Sequence, residues 1–188
     1  MIFSIVNQLR ILRQIPGAVV FLLVAVASTS AQTSGTAIDQ NVIDWLPIGT
    51  TLSAAIRDGN TEQKRDALLK IRNFRSERAS RLAAPALRDK DPMVRATATA
   101  SVVFLPKREA SSALLPLLND KLEFVRRETA YALGEVQDAA ATAPLVGLMR
   151  NDKIFEVKTA AAISLGKIGD SAAIDSLLAI LKTRPREG

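Results

Sequence analysis

Four positions constrain this chain more than anything else in it: Gln63, Val94, Val125 and Val157, spaced by 31, 31 and 32 residues. The residue after each is basic (Lys64, Arg95, Arg126, Lys158), and the residue five before each is acidic (Asp58, Asp89, Asp120, Asp152). Eight and eleven residues on come Ile71 and Phe74, Val102 and Leu105, Leu133 and Val136, Leu165 and Ile168. Offsets of 0, 4, 8 and 11 place these side chains on one stripe of a helix. A second apolar cluster follows in each unit: Ala83-Ala84/Ala86-Leu87, Leu114-Leu115/Leu117-Leu118, Leu145-Val146/Leu148-Met149 and Leu177-Leu178/Ile180-Leu181. Each unit therefore reads as two antiparallel helices. One such pair buries too little apolar surface to stand alone, and stacking makes its core continuous.

The punctuation agrees. Asp91-Pro92 offers an N-cap followed by Pro at the first helical position, where a missing N–H costs nothing. Pro106 is expected to end the first helix of its unit, and Pro116 and Pro144 to sit early in second helices. Gly134 and Gly166 fall nine residues after their anchors, inside first helices. Glycine there costs about 1 kcal/mol against alanine, so each implies a neighbouring helix in close approach.

The stretches Val125-Arg126-Arg127-Glu128-Thr129-Ala130-Tyr131-Ala132-Leu133-Gly134 and Val157-Lys158-Thr159-Ala160-Ala161-Ala162-Ile163-Ser164-Leu165-Gly166 resemble the first helix of a HEAT repeat, of the short kind named after the phycobilin-lyase subunits. The likeness spans about residues 58 to 183. It departs in the first unit, with Gln63 at the anchor and Ile71-Arg72 where Leu-Gly is usual, and in the second, with Val102-Val103 there. The resemblance implies an all-α, right-handed α-solenoid of about four helical hairpins, at 58–88, 89–119, 120–151 and 152–183. Residues 42–57, with Trp45 as anchor, are expected to form an N-terminal cap or half-repeat, and 184–188 a tail. In such repeats the acidic and basic ladders bond across turns and between units, and second helices line the concave face where partners bind.

Composition narrows the chemistry. The chain has no Cys and no His. It therefore cannot form a disulfide, a Cys-based zinc site or a Ser-His-Asp or Cys-His nucleophile. Ser164 and Lys167 have the Ser-x-x-Lys spacing of penicillin-binding proteins, but no companion motif accompanies them, and the same positions hold Ala132 and Glu135 in the preceding unit. No catalytic, cofactor-binding or metal-ligating residue is assigned, and the chain is read as non-enzymatic.

The first 31 residues read as a secretory signal. Arg10 and Arg13 precede an apolar run of about thirteen residues, and Thr29-Ser30-Ala31 offers the cut. The run is shorter than the roughly 20 residues a membrane span needs. The alternative is an uncleaved signal-anchor, the one expected membrane contact. Cleavage after Ala31 removes two arginines and no acid, taking the net charge from +6 to +4. A polar linker follows over 32–41. The mature protein is expected to be exported, to the periplasm or beyond.

The surplus charge is concentrated. Residues 57–95 hold eleven Lys/Arg against six Asp/Glu, whereas residues 96–188 hold twelve against eleven. Such a patch steers anionic partners. Arg75, Arg78, Arg81, Arg88 and Arg150 are the candidate partner-binding residues. Too few aromatics accompany them for a nucleic-acid stacking platform. The expected function is that of a protein-binding scaffold or adaptor. The alternatives are an accessory, lyase-like subunit of an enzyme system and a self-assembling module joined through the C-terminal apolar edge, Leu177, Leu178, Ile180 and Leu181.

Overall fold

The computed structural model describes residues 40–183. Among them there is no strand. In chain order they form α1 (Gln40–Asp58), α2 (Thr61–Asn73), α3 (Glu77–Ala83) with a 3-10 segment (Ala84–Arg88), α4 (Pro92–Ser101), and α5 (Lys107–Leu114) with a 3-10 segment (Leu115–Asn119). Then come α6 (Glu123–Val136), a 3-10 turn (Ala139–Ala141), α7 (Thr142–Asn151), α8 (Phe155–Ile168), a 3-10 turn (Ser171–Ala173) and α9 (Ile174–Thr183). The signal expected over 1–31, most of the linker and the tail at 184–188 lie outside the described residues. No described helix is long and apolar enough to cross a membrane.

The anchor helices α2, α4, α6 and α8 pack in succession, each on the next. Their stripes supply the core. Leu68 and Ile71 of α2, Val94 of α4, Val125 and Leu133 of α6, and Val157 of α8 are fully enclosed. The second helices close it with Ala79 and Ala83, Leu114 and Leu117, and Leu145 and Met149. Gln63 is the exception, being exposed. It stands third in α2 and completes a capping box: its N–H donates to Asn60 Oδ1 at 3.0 Å, and its Oε1 accepts from the Asn60 N–H at 2.9 Å. The first unit starts its helix with a polar cap where the others place a valine.

Prolines explain the irregular elements. The position twenty-two after the anchor is Pro85, Pro116, Gly147 and Ala179 in the four units. Where it is proline, the lost N–H and the ring convert the helix to 3-10 from the residue before it; where it is not, α7 and α9 run on. Pro116 thus sits in the second half of its hairpin arm, not early as expected. Pro106 does not end α4, which stops at Ser101; instead it precedes α5 as its N-cap. Twelve residues after the other anchors the chain turns left-handed, at Arg75 (φ 46°), Gln137 (φ 54°) and Gly169 (φ 70°). Pro106 occupies that position in the second unit and cannot follow, because its ring holds φ negative.

The two interior glycines part company. A Cβ at Gly134 would lie 2.8 Å from Ser164 Cβ and 2.9 Å from Ser164 Cα, so α8 crosses α6 over a bare backbone. Nothing lies within 4 Å of the same point at Gly166, which corrects the expectation of a close neighbour there. The described chain places no helix against that side of α8.

Candidate functional site

The recurring charges form a ladder. Lys64 Nζ donates to Asp89 Oδ2 at 2.6 Å. Arg95 Nε and Nη2 reach Asp120 at 2.7 and 3.0 Å, and Arg126 Nε and Nη2 reach Asp152 at 2.6 and 3.0 Å. Each cation therefore holds the acid of the following unit. The Oδ1 oxygen of each acid also works locally, accepting from Asp91 N at 2.8 Å, Leu122 N at 3.0 Å and Ile154 N at 2.9 Å, where each next helix begins. Arg95 and Arg126 also donate to the carbonyls of Asp89 and Asp120 at 2.9 and 2.8 Å.

These pairs are largely enclosed. The side chains of Arg126 and Asp152 are 16% and 5% exposed. The Arg126 guanidinium holds the Asp152 carboxyl below the usual carboxylate range. At Asp89 and Asp120, burial pushes upward, and hydrogen bonds from Lys64 and Arg95 and from the local backbone outweigh it. The end members differ. Asp58 is exposed at the end of α1 and pairs with its neighbour Arg57 at 3.0 Å. Lys158 Nζ donates to the Arg150 carbonyl at 3.3 Å.

Acidic residues also cap the second-helix side of the later units, where neither the apolar nor the charged period of the sequence marks them. Asp138 and Asp170 cap the 3-10 turns before α7 and α9, each accepting a backbone N–H two residues on at 3.0 Å. That bond is the main reason both carboxyls titrate low. The hydroxyls of Ser111 and Thr142, from the preceding units, make no hydrogen bond to a protein atom. Both hydroxyls are buried. Ser111 therefore belongs to the interior of its hairpin. A hydroxyl residue recurs seventeen after the first three anchors, at Ser80, Ser111 and Thr142, and Ile174 takes that place after the fourth.

Two overlapping stretches, residues 49–133 and 111–188, match the family model for HEAT repeats. The chain belongs to the HEAT-repeat family. No curated protein matches it.

In this HEAT-repeat chain the candidate partner-binding arginines have different occupations. Arg81 on α3 is spent within the fold, pairing with Glu77 at 2.6 Å and with both oxygens of Glu109, on α5, at 2.6 and 3.0 Å. Arg150 on α7 is exposed and donates to Ser176 Oγ of α9 at 3.0 Å. Arg88 is exposed. Arg75 and Arg78 lie over aromatic rings. The Arg78 guanidinium carbon is 5.5 Å from the Trp45 ring centre, and that of Arg75 is 5.7 Å from the Phe104 ring centre. Trp45 also meets Phe74 in a T-shaped contact at 4.9 Å.

Arg75 holds a left-handed backbone, for which the turn after α8 uses Gly169. A Cβ in that conformation costs about 1 kcal/mol, comparable to what one exposed cation–π contact returns. A shallow groove elsewhere, between the second and third units, is lined by Leu115, Leu118, Pro144, Gly147 and Leu148 around the Arg126–Asp152 pair.

Proposed function

We propose that this chain is an exported, non-catalytic HEAT-repeat protein that acts as a protein-interaction scaffold or adaptor. The observation that carries the reading is the use made of its recurrent charges. Asp89, Asp120 and Asp152 bond one unit to the next and cap the helix that follows, so they serve the stack and leave its surface to be varied freely. HEAT repeats generally mediate protein–protein interaction, and that supports the choice of partner class. The units are proposed to stack as four hairpins in a right-handed solenoid, with α1 as cap and the second helices on the concave side. The short repeat, with its Val-Arg/Lys anchor, supports placing it near the phycobilin-lyase kind. Crosslinking in native envelope followed by mass spectrometry is expected to recover a protein partner reproducibly; recovery of none overturns the reading. N-terminal sequencing of the native protein is expected to begin at Gln32, and an intact N-terminus would favour the signal-anchor.

Self-assembly is a second reading, favoured by the C-terminal side. Phe155 of α8 and Leu178 of α9 are 67% and 46% exposed there. A monomeric mass by light scattering at high concentration would remove it.

A further inference from the structure

The five cations between Ile71 and Asp89 are all arginines: Arg72, Arg75, Arg78, Arg81 and Arg88. Among the described residues, Arg81 alone of these takes a carboxylate partner. The Arg75 and Arg78 guanidinium groups lie over the rings of Phe104 and Trp45, and both arginines are exposed. Phe74 lies between them in the chain, 43% exposed, with its ring against Trp45. Four segments contribute: α1 brings Trp45, the α2–α3 turn brings Phe74 and Arg75, α3 brings Arg78, and the turn after α4 brings Phe104. Arg75 keeps its place although its backbone is one that glycine fits better.

We propose that this platform is the docking site for an acidic segment of a partner protein, in which glutamate or aspartate side chains pair with Arg75 and Arg78 while an apolar side chain packs on Phe74 and Trp45. The proposal rests on the scaffold reading above and names the chemistry of its partner. Guanidinium groups match carboxylates with two parallel hydrogen bonds, and the surrounding rings fix the forks before the ligand arrives. Trp and Arg around an exposed aromatic are also the residue types that concentrate binding energy in protein interfaces. A lipid surface calls for a different arrangement, with flexible lysines that reach between headgroups, and residues 71–89 contain none.

Trp45 is the sole tryptophan of the chain, so its emission reports directly on the site. The full-length protein is titrated with a ten-residue peptide alternating glutamate and leucine, with the lysine–leucine counterpart, and with vesicles containing anionic lipid. A saturable emission change is expected with the acidic peptide alone, weakening with added salt. Replacing both arginines (Arg75→Gln with Arg78→Gln) is expected to weaken it about tenfold or more, with the melting curve retained. Arg75→Gly gives an independent check, because it relieves the backbone: it is expected to melt no lower than wild type and to bind more weakly. No saturable change, equal binding by the double variant, or a response to the vesicles in place of the peptide each overturns the proposal. Native crosslinking separates this from the scaffold reading. If the double variant still captures the partner that wild type captures, the scaffold stands and the platform falls.

Discussion

Asp152 has two jobs: both of its oxygens hold Arg126 of the preceding unit, and Oδ1 also takes the Ile154 N–H at the start of α8. Asp152→Ala therefore strands a half-buried guanidinium and opens a helix end together. The expected loss is about 2–3 kcal/mol in urea unfolding. Asp58 occupies the same repeat position but faces water beside Arg57, and Asp58→Ala is expected to leave the unfolding midpoint where it was. The acids also set a pH dependence. Asp89, Asp120 and Asp152 titrate lower in the folded chain than in the unfolded one, where a carboxyl returns to about 4. The unfolded state then binds more protons at acid pH, so this stability is full above about pH 5 and drains as pH falls through the lower folded values. Urea midpoints are expected to be level between about pH 5 and 8 and to drop below about pH 4, with a shallower drop in Asp152→Asn. The spacing of the ladder was legible in the sequence because each cation and acid recurs at fixed distance. Its direction, from one unit to the next, was not: a period says which residues are equivalent and leaves open which copy each one touches.

At the scale of the helix, the same glycine means two things. Gly134 lets α8 pass with Ser164 against the α6 backbone, whereas Gly166 looks onto open space. Gly134→Ala forces backbone apart and is expected to cost about 1–3 kcal/mol. Gly166→Ala meets nothing and gains helix propensity, so about 0.5–1 kcal/mol of stabilisation is expected. Thermal melts of the two variants should move in opposite directions from wild type, and a common direction would contradict the packing described above. From sequence both glycines implied a close neighbour, because equivalence was visible and position in the stack was not. The first helices were legible for a related reason: a stripe such as Val125, Thr129, Leu133 and Val136 is dictated by burial that recurs from unit to unit, with Gln63 and Phe74 of the first unit as exceptions. Second-helix details depend on single residues. Pro85 and Pro116 turn two of those arms into 3-10 where Gly147 and Ala179 do not, and Pro106 replaces a left-handed turn. The aromatic platform was hidden most thoroughly. Trp45, Phe74 and Phe104 belong to three elements, and no period links them.

Stacked repeats touch mainly their neighbours, so the stability of the whole is close to a sum of units and the joints between them. The joints here are unequal. α6 is covered on one side by α4 and on the other by α8, and Val125, Ala130, Leu133 and Gly134 are all buried. α2 gives up part of its stripe, with Gln63 spent on a cap and Phe74 partly in water, and α9 leaves Ile174 and Leu178 about half exposed. The joint of α2 to α4 also uses Lys64, one hydrogen bond to Asp89, where Arg95 and Arg126 each make two to their acids. Native-state hydrogen exchange is therefore expected to be slowest in α6, followed by α4 and α8, with α2 and α9 faster by about tenfold or more. Uniform protection across α2 to α9 would mean that the chain opens only as a whole and would overturn the neighbour-by-neighbour picture. The gradient has a functional edge. The arginine platform stands on α1, α2 and α3, at the less protected end, so ordering by an acidic ligand should slow exchange there first and leave α6 unchanged.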